Sequence, residues 1–333
     1  MSAPDAGMAL LRYIAPMEKA NPVLATARAD YAEALVAIDE KAIAALELFE
    51  PGGELQSIGS TLPLSSLARA MEGIPYFIAM NALNFQFWDV TDSGELVRYR
   101  HKELEGALAM QAAFLNAWEA AARLALEKTG AANNVPVIAR ALNYHVTSEG
   151  LTRVFGDIPE IGKRARILME VLEDGNLLQQ VAANLLDAVH QGELAWTHAE
   201  LLAKTYPGAY GDAYLKKAQL TMMFIAGQWN AHTPPNRACR LNVTAAADYQ
   251  LPKILRALGV LRYSVEVADT VDRQQLIPAG SVAERAIRAA TVLACEKLAA
   301  HLQCTVPEVD FWLWVNRNQA RGAQFHLTRT TAY

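Results

Sequence analysis

Apolar residues in this chain recur mainly at the three- to four-residue spacing of amphipathic helices, so the pattern predicts a mainly helical protein. The longest predicted helices cover residues 102–128, 211–229 and 281–302. Ser281 and Glu284 stand at capping-box spacing at the start of the third of these helices. Shorter helices are predicted at 2–14, 29–49, 135–148, 161–173, 177–190, 194–204, 252–258, 260–270 and 307–316, mostly separated by glycine, proline or asparagine.

One segment breaks the helical spacing. Between residues 84 and 101, Phe85, Phe87 and Val90 favour strands, TDSG at 91–94 is typical of a turn, and LVRYR at 96–100 alternates. The pattern therefore predicts one small β-hairpin near 84–101 in an otherwise all-α fold.

The chain shows no internal repeat and no low-complexity linker, which predicts a single compact helical domain over 1–333. Within it, 76–333 is the expected core, and 1–75 is a less recognisable set of N-terminal helices. Residues 317–333 form a basic tail, for which mobility is the usual outcome. Only a tail that folds back would place Arg329 and Tyr333 where they close a site.

Composition narrows the possible functions. The net charge is −5 and no run is dense in lysine or arginine, so we expect no direct binding of nucleic acid. No stretch has the length and apolarity of a membrane helix, and the N-terminus lacks the pattern of a signal peptide. The three cysteines and seven histidines show no metal-ligand spacing, which favours a cytoplasmic protein with reduced thiols and no metal or cofactor.

The sequence carries no P-loop, dinucleotide-binding, zinc-protease or nucleophile-elbow motif, which leaves acidic residues set among aromatic ones as candidates. Asp248 precedes Tyr249 and a helix that starts near Pro252, so it either caps that helix or faces a pocket. Asp310 stands four residues before Trp314, on the same helical face. It either caps its helix or accepts hydrogen bonds from a heterocycle that stacks on the indole.

Two adjacent lysines are a further candidate. Lys216 and Lys217 point in different directions on a helix, so at most one of them faces a site, and solvated surface is the usual environment of such a pair.

Several segments, taken in order, resemble the queuosine salvage family. They are ALNFQFW at 82–88, YLKKAQL at 214–220, AADYQLPKILRALGVLRYS at 246–264, GSVAERAIRAATVLACEKL at 280–298, VDFWLW at 309–314 and the tail FHLTRTTAY at 325–333. Members of that family are queuosine 5′-phosphate N-glycosylases with a helical fold similar to the helical DNA glycosylases. The resemblance spans about residues 75–333 and implies the same fold and reaction here.

The resemblance also implies site residues. Asp248 corresponds to the family's catalytic carboxylate, and Asp310 to an acid that contacts the base, with Trp314 nearby. Lys216 or Lys217 is expected to pair with a 5′-phosphate. The matching segments add further expected substrate contacts, namely Asn84, Ala246, Tyr249 and Phe311.

The chain departs from the family at positions around the base. Ala246 stands where a phenylalanine is usual, and Leu35 stands at the best match to a histidine. Gln86 replaces a cysteine, Gln250 an arginine and Ala286 an acidic residue. Because losing a stacking aromatic ring costs about 1–3 kcal/mol per base, the reaction type is a firmer expectation than the substrate.

We therefore expect a hydrolase that cleaves the N-glycosidic bond of a 7-deazaguanine nucleotide such as queuosine 5′-phosphate. One alternative is a divergent relative that processes another modified nucleoside or nucleotide, for example in a secondary-metabolite pathway. The other is a nucleotide-binding protein on the same scaffold without turnover.

Overall fold

The computed structural model describes residues 20–46, 73–320 and 322–333. Its helices are α1 (Pro22–Asp30), α2 (Glu40–Ala44), α3 (Ile74–Ala82), α4 (Ala107–Thr129), α5 (Val135–Asn143), α6 (Ser148–Phe155), α7 (Ile161–Leu172), α8 (Gly175–His190), α9 (Trp196–Thr205), α10 (Pro207–Tyr210), α11 (Lys216–His232), α12 (Gln250–Ala257), α13 (Val265–Asp272), α14 (Val282–Leu302) and α15 (Val306–Asn316). The prediction of a mainly α fold is confirmed.

Strands occur only as two-stranded sheets in the described part of the chain. The hairpin predicted near 84–101 is confirmed and pairs β2 (Trp88–Val90) with β3 (Leu96–Arg98), with Trp88 opposite Arg98. Three pairs were not predicted. They join β1 (Val36–Ile38) to β8 (Leu261–Tyr263), β4 (Arg100–His101) to β5 (Leu104–Glu105), and β6 (Glu193–Ala195) to β7 (Arg240–Asn242), the last pair running parallel.

The helix predicted over 29–49 is wrong within the described residues. The α1 helix ends at Asp30, the chain extends into β1, and α2 begins after Asp39, whose Oδ1 accepts from the amides of Lys41 and Ala42. Residues 47–49 and the predicted helix 2–14 lie outside the described residues. The single-domain prediction over 1–333 therefore stays a prediction.

Two other predicted helices are divided. The helix expected at 135–148 ends at Asn143, and Thr147 caps a second helix by accepting from the amide of Gly150 at 3.0 Å. The helix expected at 260–270 starts as β8, and Ser264 then caps α13. In each case a capping side chain marks the break.

Two apolar clusters form most of the core. The first surrounds α3, all nine residues of which are buried, and includes α4 to α11. The second joins β1, β8, α12, α14 and α15. A small third cluster, formed by Trp88, Tyr249, Phe325, Leu327 and Tyr333, brings the hairpin, the start of α12 and the tail together. A cavity lies where these three clusters meet.

Within the described residues, we find no helix that combines the length and apolarity needed to cross a membrane.

Candidate active site

Asp248 combines the two roles that the sequence left open. Its Oδ1 accepts hydrogen bonds from the amides of Gln250 at 2.7 Å and Leu251 at 3.0 Å, which caps the first turn of α12. The residue is half-buried and lines a cavity of about 240 Å³. Because one carboxylate oxygen satisfies the cap, the other is left to face the cavity. The dipole of α12 favours negative charge at this end of the helix.

Asp310 reaches the same cavity from α15. It is only 2% exposed, and its Oδ2 accepts from the amide of Ala246 at 2.7 Å. Burial raises the pKa of Asp310 to about 7, and the charge of Asp248 adds to the increase, whereas the Ala246 amide and the Lys216 ammonium oppose it. The two acids therefore lie within electrostatic range of each other in very different surroundings.

The structure brings most of the residues predicted from sequence into this one cavity. Its lining includes Asn84, Lys216, Ala246, Asp248, Tyr249, Asp310, Phe311 and Trp314. These eight residues come from four separate parts of the chain. The exception among the predicted contacts is Lys217.

The two lysines of α11 point to different places. The Nζ of Lys216 donates to the backbone oxygen of Asn84 at 3.1 Å, inside the cavity wall. Burial lowers the pKa of Lys216, while the charges of Asp248 and Asp310 act to raise it. The Nζ of Lys217 instead donates to the backbone oxygen of Ala82 at 2.9 Å, so Lys217 is not placed for substrate contact.

The backbone that presents Asn84 is fixed by a buried arginine. Arg164 of α7 donates to the backbone oxygens of Leu83, Phe85 and Gln86, and its guanidinium lies 4.1 Å from the centre of the Phe85 ring. Burial lowers its pKa to about 9. Carbonyl groups, rather than a carboxylate, therefore satisfy this cation, and they hold the irregular segment after α3 in one conformation.

A second buried cation ties three elements together beside the cavity. Arg288 of α14 donates to both oxygens of Asp212, at 2.8 and 2.6 Å, and its Nε donates to the backbone oxygen of Ala247 at 3.3 Å. The Oδ2 of Asp212 also accepts from the amide of Lys216 at 3.1 Å. The pair thus fixes both the peptide before Asp248 and the first residue of α11.

Sequence reasoning missed much of the cavity wall. The missed aromatic and polar residues are Phe87, Trp88, Gln111, Phe224 and Phe325, and the missed charged residues are Arg98, Glu105, Lys253 and Arg317. Trp88 Nε1 and Gln111 Oε1 are buried polar atoms with no hydrogen-bond partner among the described residues. The tail residues could be recognised only from the resemblance of FHLTRTTAY to the family's tail, because no local sequence pattern shows that the tail folds back onto the protein.

The tail is packed into the protein. Tyr333 is 1% exposed, its hydroxyl donates to Glu284 at 2.9 Å, and its backbone oxygen accepts from the amide of Gln86 at 2.9 Å. The expectation of a mobile C-terminal tail is therefore wrong, and Tyr333 lines the cavity. Arg329 does not line it and pairs with Asp89 at 2.7 Å on the surface.

Among the described residues, no group of three or more His, Cys, Asp or Glu side chains is arranged to hold a metal ion.

The family model for the queuosine salvage protein matches residues 66–333. The chain belongs to the queuosine salvage family. It is 30% identical over 278 residues to the queuosine 5′-phosphate N-glycosylase/hydrolase of Sphaerobacter thermophilus, covering 78% of this chain and 80% of that protein. Proteins of the same description from Mus musculus and Dictyostelium discoideum are 25% identical over 289 residues and 29% identical over 188 residues. Those two matches cover 76% and 51% of this chain, and 80% and 57% of the respective relatives.

The sequence of this member of the queuosine salvage family was expected to depart from the others at certain positions. In the structure these positions fall into two groups. Ala246 and Gln250 line the cavity. Leu35 and Ala286 belong to the second apolar cluster, and Gln86 is buried with its Nε2 3.4 Å from the backbone oxygen of Trp88. Only the first group is in position to touch a ligand.

Proposed function

We propose that this protein hydrolyses the N-glycosidic bond of queuosine 5′-phosphate and releases the free base. The observation that carries the proposal is the meeting of Asp248 and Asp310 in one largely enclosed, aromatic-lined cavity, in a chain that belongs to the queuosine salvage family. Its relatives from Sphaerobacter thermophilus and mouse are named for this reaction.

Asp248 is the proposed catalytic carboxylate. Breaking the bond between the sugar and the base leaves positive charge on the anomeric carbon, and a carboxylate next to that carbon stabilises it or attacks it directly. The cap on α12 fixes Asp248 through Oδ1, which leaves Oδ2 to face the sugar. Water supplies the hydroxyl group that ends on the sugar, and the base leaves with a proton.

Asp310 is the proposed contact to the base. A 7-deazaguanine base has no N7, so protonation at N7 cannot assist its departure, and the other edges of the base must be held. Asp310 is anchored through one oxygen by the Ala246 amide and offers the other oxygen to N–H donors of the base. Phe311 and Trp314 on the same helix, together with Tyr249, supply aromatic surface near it.

Lys216 and Asn84 complete the enclosed part of the proposed site. The ammonium of Lys216 interacts electrostatically with both acids and is held by Asn84, so it offsets their negative charge. This position suits a residue that keeps two carboxyl groups close together in a buried site.

A second candidate substrate is another modified nucleotide, and Ala246 favours it. Its amide is fixed by Asp310, and its methyl group stands at the cavity wall where the family usually has a phenyl ring. A base with a bulkier ring or substituent would occupy the space that such a ring fills.

We place the reaction in the cytoplasm and on a free nucleotide rather than on nucleic acid. The three cysteines are free thiols, which suits a reducing compartment. The net charge of −5 does not favour contact with a nucleic-acid backbone.

The test is to incubate the protein with queuosine 5′-phosphate, queuosine and a panel of purine 5′-nucleotides, and to measure released base by chromatography. We expect release of base from queuosine 5′-phosphate. Release from a different nucleotide only would support the second candidate. Saturable binding without release from any substrate would contradict the assignment as a hydrolase.

A further inference from the structure

Three cations line the outer part of the cavity. We call Arg98, Lys253 and Arg317 the mouth cations; Arg98 is exposed, and Lys253 and Arg317 are half-buried. By contrast, Asp310 and Lys216 are only 2% and 3% exposed. The cavity therefore has an enclosed end that holds Asp310 and Lys216, whereas Asp248 is half-buried, like Lys253 and Arg317.

Lys253 and Arg317 follow the two acids along the chain. Lys253 lies one turn beyond Gln250 on α12, or about 4.5 Å along the axis at 1.5 Å per residue. Arg317 follows α15 seven residues after Asp310, which corresponds to about 10 Å along the chain direction. Each acid is thus followed, on the adjoining helix or its immediate continuation, by a cation that lines the same cavity.

The mouth cations are incompletely neutralised. Arg98 lies 3.2 Å from Glu105, but Glu105 also pairs with Arg100 at 3.2 Å. Lys253 and Arg317 form no ion pair to a carboxylate within the described residues, and the charges of Asp248 and Glu105 act on Arg317 only at longer range. Burial lowers the pKa of Lys253, and the charges of Arg98 and Arg317 lower it further. A bound anion would relieve this repulsion.

Two of the mouth cations are held in position before any ligand binds. The guanidinium of Arg317 lies 3.8 Å from the centre of the Trp314 ring, and its Nη1 donates to the backbone oxygen of Trp314 at 2.7 Å. Lys253 Nζ lies 3.4 Å from the backbone oxygen of Arg317. Little side-chain freedom is then lost when an anion binds.

We propose that Lys253 and Arg317, with Arg98 across the opening, form the binding subsite for the 5′-phosphate of the substrate. This proposal rests on the proposed function and replaces the sequence-based expectation that Lys216 or Lys217 holds that phosphate. The Lys216 ammonium is hydrogen-bonded to Asn84 near the two acids, and Lys217 points away from the cavity. The phosphate remains near the opening while the sugar and base extend inward to Asp248 and Asp310.

The test uses Lys253→Gln and Arg317→Gln, with Arg100→Gln as the matched control, because Arg100 is exposed near the opening but does not line the cavity. Calorimetry measures the dissociation constants of ribose 5-phosphate and of queuine, the free base, and a kinetic assay gives KM for queuosine 5′-phosphate. A charge-assisted hydrogen bond corresponds to roughly tenfold to hundredfold in affinity. We expect each of the two variants to weaken ribose 5-phosphate binding and to raise KM by that factor.

Queuine carries no phosphate, so its affinity should stay within about twofold in all three variants, whereas a general loss of structure would weaken it. Unchanged ribose 5-phosphate affinity and KM in Lys253→Gln and Arg317→Gln would overturn the subsite, even if the wild-type protein hydrolyses the nucleotide. If the wild type neither binds queuine nor releases it, the proposed function fails, and ribose 5-phosphate binding still decides the subsite.

Discussion

At the scale of single residues, Asp248 and Asp310 are the same chemical group in opposite surroundings. Asp248 sits at the positive end of α12 and accepts two backbone amides, whereas Asp310 is enclosed and accepts one. When the environments of two carboxyl groups differ in this way, the groups are suited to different tasks. Asp248 is suited to face developing positive charge, and Asp310 to change protonation near neutral pH.

The raised pKa of Asp310 predicts the pH dependence of catalysis. In the role that we propose, the Asp310 carboxylate accepts from N–H groups of the base, and below its pKa of about 7 the protonated form loses one acceptor. We expect kcat/KM to rise with pH through about 7 and to level off above it, since this parameter reports the free enzyme. Measuring kcat/KM for queuosine 5′-phosphate over a range of pH tests this expectation.

Asp310→Asn is the control for that profile, because it has no group that titrates there, and its inflection near pH 7 should disappear. A wild-type profile that falls through pH 7 would contradict the acceptor role and make Asp310 a proton donor to the base.

The site residues that sequence could predict share one property. Asp248, Asp310, Tyr249 and Trp314 belong to short segments whose spacing places them on helix faces or helix starts. Lys253 and Arg317 also sit in such segments, but their proposed role depends on forming no ion pair to a carboxylate among the described residues while lining the same cavity. That is a property of the folded environment, so local pattern did not identify them.

At the scale of elements, the Arg288–Asp212 pair joins α14 to the start of α11 and to the peptide before Asp248. The guanidinium also lies 4.3 Å from the ring centre of Tyr214 and 4.5 Å from that of Tyr333. Glu284 is 3.8 Å away and accepts from the Tyr333 hydroxyl. One side chain therefore supports a helix, a loop and the tail at once.

Arg288→Met should destabilise the protein strongly, because it leaves Asp212 buried without its cation. Breaking a buried ion pair by removing one partner costs about 3–5 kcal/mol. Unfolding in denaturant, followed by circular dichroism, measures the loss. Arg273→Ala removes an exposed pair with Asp269 and should cost about 0.5 kcal/mol or less. A cost below about 1 kcal/mol for Arg288→Met would show that the pair is not structural.

The elements that sequence reasoning misplaced have a common physical cause. β1 is stabilised by pairing with β8, more than 200 residues later in the chain, with Val36 opposite Tyr263. Its apolar residues also fit helical spacing over 29–49, and only the distant partner decides between the two conformations. The caps Asp39, Thr147 and Ser264 were the local evidence for the true boundaries.

At the scale of the whole molecule, the cavity is assembled from parts far apart in sequence. The segment after α3, the hairpin, α4, α11, α12, α15 and the tail each contribute lining residues. The tail is held by nonlocal contacts, including the amide of Ile277, which donates to the backbone oxygen of Leu327 at 2.8 Å. The local spacing of apolar residues does not reveal such contacts. The helical class could therefore be predicted from sequence, but the return of the tail could not.

We propose that the Asp248 carboxylate drives cleavage of the glycosidic bond, and the variant Asp248→Asn removes its charge while keeping its shape. Asparagine caps helices as well as aspartate does, so the fold and queuine binding should be retained. Asp174→Asn is the matched control, because Asp174 caps α8 through the same two-amide arrangement outside the cavity.

The decisive measurement is single-turnover release of base from queuosine 5′-phosphate by Asp248→Asn, with circular dichroism as the folding control. We expect release to fall by roughly a hundredfold to a thousandfold or more, because the charge facing the anomeric carbon is lost, while Asp174→Asn stays near wild type. Near wild-type release by a folded Asp248→Asn protein would contradict this proposal.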